Sequence, residues 1–337
     1  MKKTVILIYG GEGYEHEISK ESAKAIYSAI DKSLFDVIPV FISREGNWFI
    51  TDGIGKSILR PTYPARIDSR SGLLSGADLL PADVAIPALH GDYGEDGIIQ
   101  GALDCAHIPY IGCRVFASAV CIDKVYTKII AEHFGIPSAK YTVVYENDEP
   151  EAAILRAEGS LSYPMFLKPA RLGSSVGAAR ANNRAELSSA LREARLLSGK
   201  ILIEECIDVL CELECGFFEE GGKIHISPSG RIHTGGIFYD YEGKYGDRNA
   251  PKISHGSADY PELSKKAASY AKILARAIGL SGLSRIDFFI TRQGELLFNE
   301  INTFPGMTKS SLYPLLTEDM GFAKNEYINI LLSEAVR

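Results

Sequence analysis

No apolar run in this 337-residue chain approaches the ~20 residues needed to span a bilayer. The opening MKKTVILIYG starts like a signal peptide, with two lysines before an apolar run. That run stops at Gly10-Gly11-Glu12 and no small-x-small cleavage site follows, so a first β-strand and a cytoplasmic protein are expected. Excess positive charge is missing too. A formal net charge of -7 argues against a nucleic-acid binder unless a basic groove hides within it. The six cysteines, at 105, 113, 121, 206, 211 and 215, form no CxxC pair and no zinc-ribbon spacing. They read as small buried hydrophobes, with a metal site as the alternative. No internal repeat and no low-complexity tract appears. The Walker A pattern is absent, and the partial GxGxxG at Gly11-Glu12-Gly13 fails because His16 takes the third glycine position.

What remains is a globular composition, 46% hydrophobic and 23% charged, with a length suited to two or three domains. Residues 4–9 (VILIYG) read as a buried strand. Apolar and small residues from Ile18 to Ile30, with Ser22 among them, fall at helical spacing, and 36–43 (DVIPVFIS) is a second strand. This opens an α/β unit with a parallel sheet, to which 81–91 adds another strand. Residues 46–80 suggest a hairpin or loop at its edge. One helix is expected from Ser118 to Phe134, stopped by Gly135. Asn183 and Glu186 begin another with a capping-box pattern. Strands are expected at 163–170 and 201–207, an irregular polar stretch at 229–258, and a helix from Glu262 to Ile278 closed by Gly279. Two final strands, 285–291 and 295–301, meet at the turn Arg292-Gln293-Gly294. Boundaries near 113 and 205 give units of 1–113, 114–205 and 206–337.

Two features carry chemistry. The loop RLGSSVGA (171–178) follows Lys168 at a strand end. Small residues there let backbone N–H groups approach phosphate oxygens while the lysine offsets charge; a plain turn is the other reading. On the final hairpin, Asp287 lies on one strand and Glu300 and Asn302 share a face of the other. Two acids and an amide suit Mg²⁺ held against phosphates. The alternative is a buried salt bridge from Asp287 to Arg285.

These pieces stand among further motifs: HGDYGEDGIIQGALD (90–104), IPYIG (108–112), SAVCIDKVYTK (118–128), FLKPARLGSSVG (166–177), FYDYEGKY (238–245), SRIDFF (284–289) and FNEINTFPGMT (298–308). In this order they resemble the D-alanine–D-alanine ligase family, a branch of the ATP-grasp enzymes, over essentially the whole chain. The resemblance implies an ATP-grasp fold, α/β and α+β, behind an N-terminal parallel-sheet domain. It implies ATP, two Mg²⁺ ions with Mn²⁺ as an alternative, D-amino acids as small-molecule partners, a homodimer, and a role in peptidoglycan precursor synthesis. Lys124, Lys168 and Ser175 would meet the phosphates. Glu204, Glu205, Cys206 and Ile207 would line the adenine pocket, and Glu212 would bind the ribose. Asp287, Glu300 and Asn302 would hold the metal ions. Glu15, Ser174 and Tyr245 would form a linked set at the first D-alanine, beside His90. Arg285 and the Gly306 amide would stabilise oxyanions, while Lys244, Ser311 and Leu312 would hold the second amino acid. The stretch 229–258 would act as a lid.

One departure concerns the second substrate. Relatives commonly carry Ser-His-Ser after PGMT, where this chain has Lys309-Ser310-Ser311. GCRVFASAVCIDK and FISREGNW also resemble ligases that join D-alanine to D-serine. The alternatives are such a ligase and, in another class, a catalytically silent nucleotide-binding protein.

Overall fold

The computed structural model describes residues 2–67, 70–233, 252–308, 311–323 and 326–336. The N-terminal segment follows the expected strand–helix–strand order: β1 (Lys3–Gly10), α1 (His16–Ala29) and β2 (Phe35–Ile42), then β3 (Trp48–Thr51) and β4 (Ile58–Pro61). A separate three-stranded sheet comes next, β5 (Tyr63–Ile67), β6 (Arg70–Ser75) and β7 (Asp78–Pro81), before β8 (Val84–Pro87) and α2 (Ile98–Cys105). Strand order in the main sheet is β4-β3-β2-β1-β8, with β1 parallel to both neighbours and β3 and β4 antiparallel at the edge. β1 is central and covered on both faces, which is why Val5, Ile6, Leu7 and Ile8 are all buried. Residues 46–80 thus form five short strands rather than one hairpin or a loop.

The helix expected over Ser118–Phe134 is two helices, α3 (Val115–Ile122) and α4 (Lys124–His133). Asp123 breaks it. Its backbone is extended, and its side chain accepts from the Val125 amide at 3.1 Å as the cap of α4. The same carboxylate pairs with Lys200 at 2.9 Å, so a tertiary ion pair reinforces the local cap. The break makes Lys124 the first residue of α4 and turns it toward the glycine-rich loop.

A four-stranded sheet, β11-β10-β12-β9, follows. It is built from β9 (Tyr141–Tyr145), β10 (Met165–Pro169), β11 (Ala179–Ala181) and β12 (Lys200–Glu205), with α5 (Pro150–Ser160) and α6 (Arg184–Arg195) packed against it. Asn183 caps α6 by accepting from the Glu186 amide at 3.0 Å, as its spacing predicts.

The last sheet holds β13 (Val209–Glu220), β14 (Lys223–Ile226), β15 (Gly230–His233), β16 (Lys252–His255), β17 (Leu283–Thr291) and β18 (Leu296–Asn302). Between its strands lie α7 (Gly256–Asp259) and α8 (Pro261–Ile278); α9 (Tyr313–Asp319) and α10 (Glu326–Ala335) close the chain. Gly279 ends α8 at φ +75°, a conformation glycine adopts without a Cβ penalty. The two ends of the expected irregular stretch 229–258 are regular, since β15 and β16 pair antiparallel. Residues 234–251 lie outside the described residues.

The N-terminal segment meets this sheet at close range. A Cβ on Gly282, whose φ is +67°, would come within 2.7 Å of the Gly112 amide nitrogen. Ser281 Oγ donates to the Gly112 carbonyl at 3.1 Å. Apolar burial continues across the seam, where Val5, Leu7 and Ile86 share one cluster with Phe218, Phe304, Tyr313 and Tyr327.

Candidate active site

A pocket opens where the regions of the main N-terminal sheet, the four-stranded sheet and the last sheet come together. It is lined by Glu15, His90 and Glu95 from the N-terminal segment, Lys124, Gly173 and Ser174 from the middle, and Arg285, Glu300, Asn302, Phe304 and Gly306 from the C-terminal part. Glu15 precedes α1, and the end of β1 fixes that junction. Ser19 on α1 accepts from the Gly10 amide at 2.8 Å and donates to the Ala88 carbonyl at 2.6 Å. The loop residues Ser174 and Ser175 take φ values of +49° and +58°. Such backbone strain in non-glycine residues persists only where surroundings over-determine it. Here Ser174 Oγ donates to Glu15 Oε1 at 2.5 Å across 159 positions of sequence.

On the hairpin, Arg285 faces Asn302 and Asp287 faces Glu300, while Phe288 pairs with Phe298. Asn299 is therefore the extra residue of a bulge. That slip leaves Phe298 in the core while Glu300 and Asn302 face the pocket. Both sequence readings of Asp287 are present together. Its carboxylate takes two hydrogen bonds from the Arg285 guanidinium, at 2.8 and 2.7 Å, and one from Asn302 at 2.9 Å. Glu214, which sequence reasoning passed over, approaches Arg285 at 3.0 Å. Burial opposes the Arg285 charge, but Asp287 and Glu214 outweigh it and hold the guanidinium more firmly protonated than usual.

Lys124 Nζ donates to the Leu172 carbonyl at 2.9 Å and lies 3.3 Å from Glu300. Lys168 and the fully buried Lys128 share Glu204, at 2.7 and 2.6 Å. Burial pushes the Glu204 carboxyl up, yet Lys168 and Lys128 override it and the net shift is downward. Asn299 sits 3.5 Å from Lys168. The Glu204 side chain is thus engaged by lysines. Glu205 and Cys206 line a separate shallow cleft with Lys140 and Ser160–Pro164. Ile207 follows them in the connection to β13, and Glu212 is half-buried on β13 opposite Phe289. Ser311 bonds Thr308 at 2.8 Å beside Gly306, and Leu312 packs under Gly230. Lys244, Tyr245, Lys309 and Ser310 lie outside the described residues.

Two models of known families match most of the chain. One described as D-ala D-ala ligase N-terminus matches residues 4–113, and one described as D-ala D-ala ligase C-terminus matches residues 130–333. The chain belongs to the D-alanine–D-alanine ligase family. Curated relatives named D-alanine–D-alanine ligase include one from Streptococcus equi subsp. equi (strain 4047), 37% identical over 98% of this chain and 95% of its own. Another, from Streptococcus pyogenes serotype M2 (strain MGAS10270), is 35% identical over 99% and 96%. Among solved structures, the VanG D-Ala:D-Ser ligase from Enterococcus faecalis superposes with a TM-score of 0.89 at 31% identity, covering 99% of this chain and all of that one. The D-alanine-D-alanine ligase from Coxiella burnetii gives 0.87 at 28%, covering 99% and 94%. The architecture is the ATP-grasp arrangement of these ligases behind an N-terminal α/β sheet. No described helix is long and apolar enough to cross a membrane.

In this D-alanine–D-alanine ligase family member, Glu95, which lines the pocket, and Ser22, which lies behind it, also escaped sequence reasoning. Glu95 lies within HGDYGEDG, where two other acids, Asp92 and Asp96, and three glycines mask it. Burial pushes its carboxyl up to about 7, the nearby Glu15 adds to that, and amide bonds from Phe304 and Gly91 oppose it. Ser22 was visible as a polar residue on the apolar face of α1, a position that asks for a buried partner. That partner is His90, at 2.8 Å. The cysteines behave as the bland reading expected at four positions, since Cys113, Cys121, Cys211 and Cys215 are buried; Cys105 is exposed and Cys206 half-buried.

Proposed function

We propose that this protein joins two D-alanines at the expense of ATP, through an acyl phosphate, to supply a dipeptide for peptidoglycan precursors. The observation that carries the reading is convergence. Glu15, His90, Lys124, Ser174, Arg285, Glu300, Asn302 and Gly306, from all three stretches of the chain, line one pocket. A carboxylate is inert toward an amine because oxide is a poor leaving group. Its oxygen attacks the γ-phosphorus of ATP and ADP departs. The second amine then attacks the acyl carbonyl, and phosphate leaves with the original carboxylate oxygen.

Each residue has a task suited to its chemistry. Glu15, anchored by Ser174, pairs with the first ammonium. Lys124 and Lys168, the latter now resting on Glu204, offset phosphate charge. Arg285 and the Gly306 N–H receive the oxyanion of the tetrahedral intermediate. Asp287, Glu300 and Asn302 fit Mg²⁺ by donor type. Among the described residues no trio of His, Cys, Asp or Glu could hold a metal alone, and two carboxylates plus an amide leave the remaining octahedral positions to phosphate and water oxygens. Bound there, Mg²⁺ would neutralise charge on the phosphates. Ser175 for the phosphates, Glu204–Ile207 for adenine, Glu212 for ribose, and Lys244, Tyr245, Ser311 and Leu312 for the amino acids complete the proposal. So do the units 1–113, 114–205 and 206–337, the lid, the homodimer and the cytoplasmic location.

A D-alanine–D-serine ligase is the second reading, favoured by the superposition on VanG and by Lys309-Ser310-Ser311. Phosphate release from ATP with D-alanine alone, then with D-serine added, separates the two by dipeptide product. Release with D-alanine alone and a D-alanyl-D-alanine product is expected. No turnover with any pair of D-amino acids would sink the ligase reading altogether.

A further inference from the structure

Gly306 has no side chain by which its surroundings could hold it, yet its amide is the group the proposed reaction needs to keep still. The segment around it leaves β18 and is fastened to the N-terminal segment on both sides. Before it, the Phe304 N–H donates to Glu95 Oε1 at 2.9 Å, and the Phe304 carbonyl lies 3.0 Å from His90 Nδ1. After it, the Met307 N–H reaches Ser22 Oγ at 3.4 Å, and that hydroxyl lies 2.8 Å from His90 Nε2. Ser22, His90, Phe304 and Met307 are all buried.

The proton positions in this chain follow from its ends. A carbonyl oxygen can only accept, so Nδ1 of His90 carries the hydrogen. Burial disfavours the imidazolium, with Glu15 opposing and Arg285 assisting, so the ring is neutral and Nε2 offers a lone pair. The Ser22 hydroxyl must then donate to Nε2, which leaves its own lone pairs for the Met307 N–H. Each group has one role, and neither imidazole nitrogen is free to take a proton from a substrate.

We propose that Ser22 and His90 form a hydrogen-bonded clamp of fixed polarity that positions the Phe304–Met307 segment, and with it the Gly306 amide. His90 is a positioning residue here, not a proton carrier. The proposal rests on the ligase reading for its catalytic consequence, but the clamp can be read without turnover.

The test uses the full-length protein labelled with ¹⁵N-histidine, with His90→Gln identifying the His90 signals. The expected result is the Nδ1–H tautomer in the wild type. In Ser22→Ala the Nε2 signal should shift as it loses its donor, and the Phe304–Met307 amides should exchange faster with solvent. With D-alanine and ATP, Ser22→Ala should lose roughly ten- to hundredfold in kcat, the scale of a misplaced group, with KM for ATP little changed. An Nε2–H tautomer in the wild type overturns the clamp, and needs no variant to fold. So does unchanged amide exchange in Ser22→Ala, or a kcat within about twofold of wild type with KM alone raised. If the wild type ligates no D-amino acid while tautomer and exchange behave as expected, the ligase reading fails and the clamp stands.

Discussion

Glu95 shows how one buried carboxyl can make stability depend on pH. Its folded pKa is raised, to about 7 against 4.5, so the folded state binds the proton more tightly than the unfolded chain. The stabilising contribution is fully present below about pH 4.5 and is lost as pH rises through about 7. A shift of this size corresponds to about 3 kcal/mol at most. Urea denaturation should therefore show wild-type stability falling between pH 5 and pH 8 by a few kcal/mol more than that of Glu95→Gln, which cannot titrate. Parallel profiles for the two proteins would show that Glu95 does not carry the proton. The two amide bonds Glu95 accepts, from Gly91 and Phe304, persist with a protonated carboxyl because one oxygen keeps both lone pairs and the other keeps one.

Two helix starts test what local sequence can and cannot specify. Asn183, exposed at the start of α6, bonds only within the first turn of its own helix, and Asn183→Ala should cost about 1 kcal/mol. Asp123 caps α4 and also neutralises Lys200, which is mostly buried and sits 4.0 Å over the Tyr126 ring. Asp123→Ala should therefore cost more, about 2–4 kcal/mol, because it removes the cap and strands a cation. Equal losses in thermal or chemical melts would remove the tertiary part of that argument. The contrast also marks how far elements were legible. β1, β2, β10, β12, α6, α8 and the β17–β18 hairpin followed from periodicity and caps. The break at Asp123 did not, because Lys200, which pairs with Asp123, and Ala170, whose carbonyl accepts from the Lys124 amide at 3.0 Å, lie far away in sequence. β13, twelve residues long, was passed over although Cys211, Glu212, Leu213, Glu214 and Cys215 alternate as a strand does; the neighbouring pairs Phe217-Phe218 and Glu219-Glu220 interrupt that period. The bulge at Asn299 was not expected, although unbroken alternation would put Phe298 beside Glu300 on the pocket face. Of the residues that line the pocket, Glu15, His90, Lys124, Ser174, Arg285, Glu300, Asn302 and Gly306 were singled out in the sequence. Ser22, Glu95, Lys128 and Glu214 act through partners that only the fold brings near.

At the scale of the whole molecule, the pocket is a seam bridged by a few polar contacts. The Glu15–Ser174 bond joins the N-terminal sheet to the glycine-rich loop, and Lys124–Glu300 joins that middle region to the last sheet. A ligand set bridging the same surfaces adds its binding free energy to the assembled form only. At a hundredfold excess over Kd that is about 2.7 kcal/mol, which for a chain of this length corresponds to a rise in Tm of about 4 °C. D-alanine with a non-hydrolysable ATP analogue and Mg²⁺ should give such a rise, measured by calorimetry. Chelating the divalent ion should remove most of the nucleotide's share, because Asp287 and Glu300 would then repel the phosphates instead of sharing cations with them. Ser174→Ala should keep the native Tm without ligand within about 1 °C, the bond being one partly exposed contact, yet lower the ligand-induced rise, because Glu15 would no longer be held where the first ammonium needs it. An undiminished rise in chelator would remove Asp287, Glu300 and Asn302 from the metal role. An undiminished rise in Ser174→Ala would mean that the loop closes without Glu15, and that the joint between these two parts is set by the nucleotide alone.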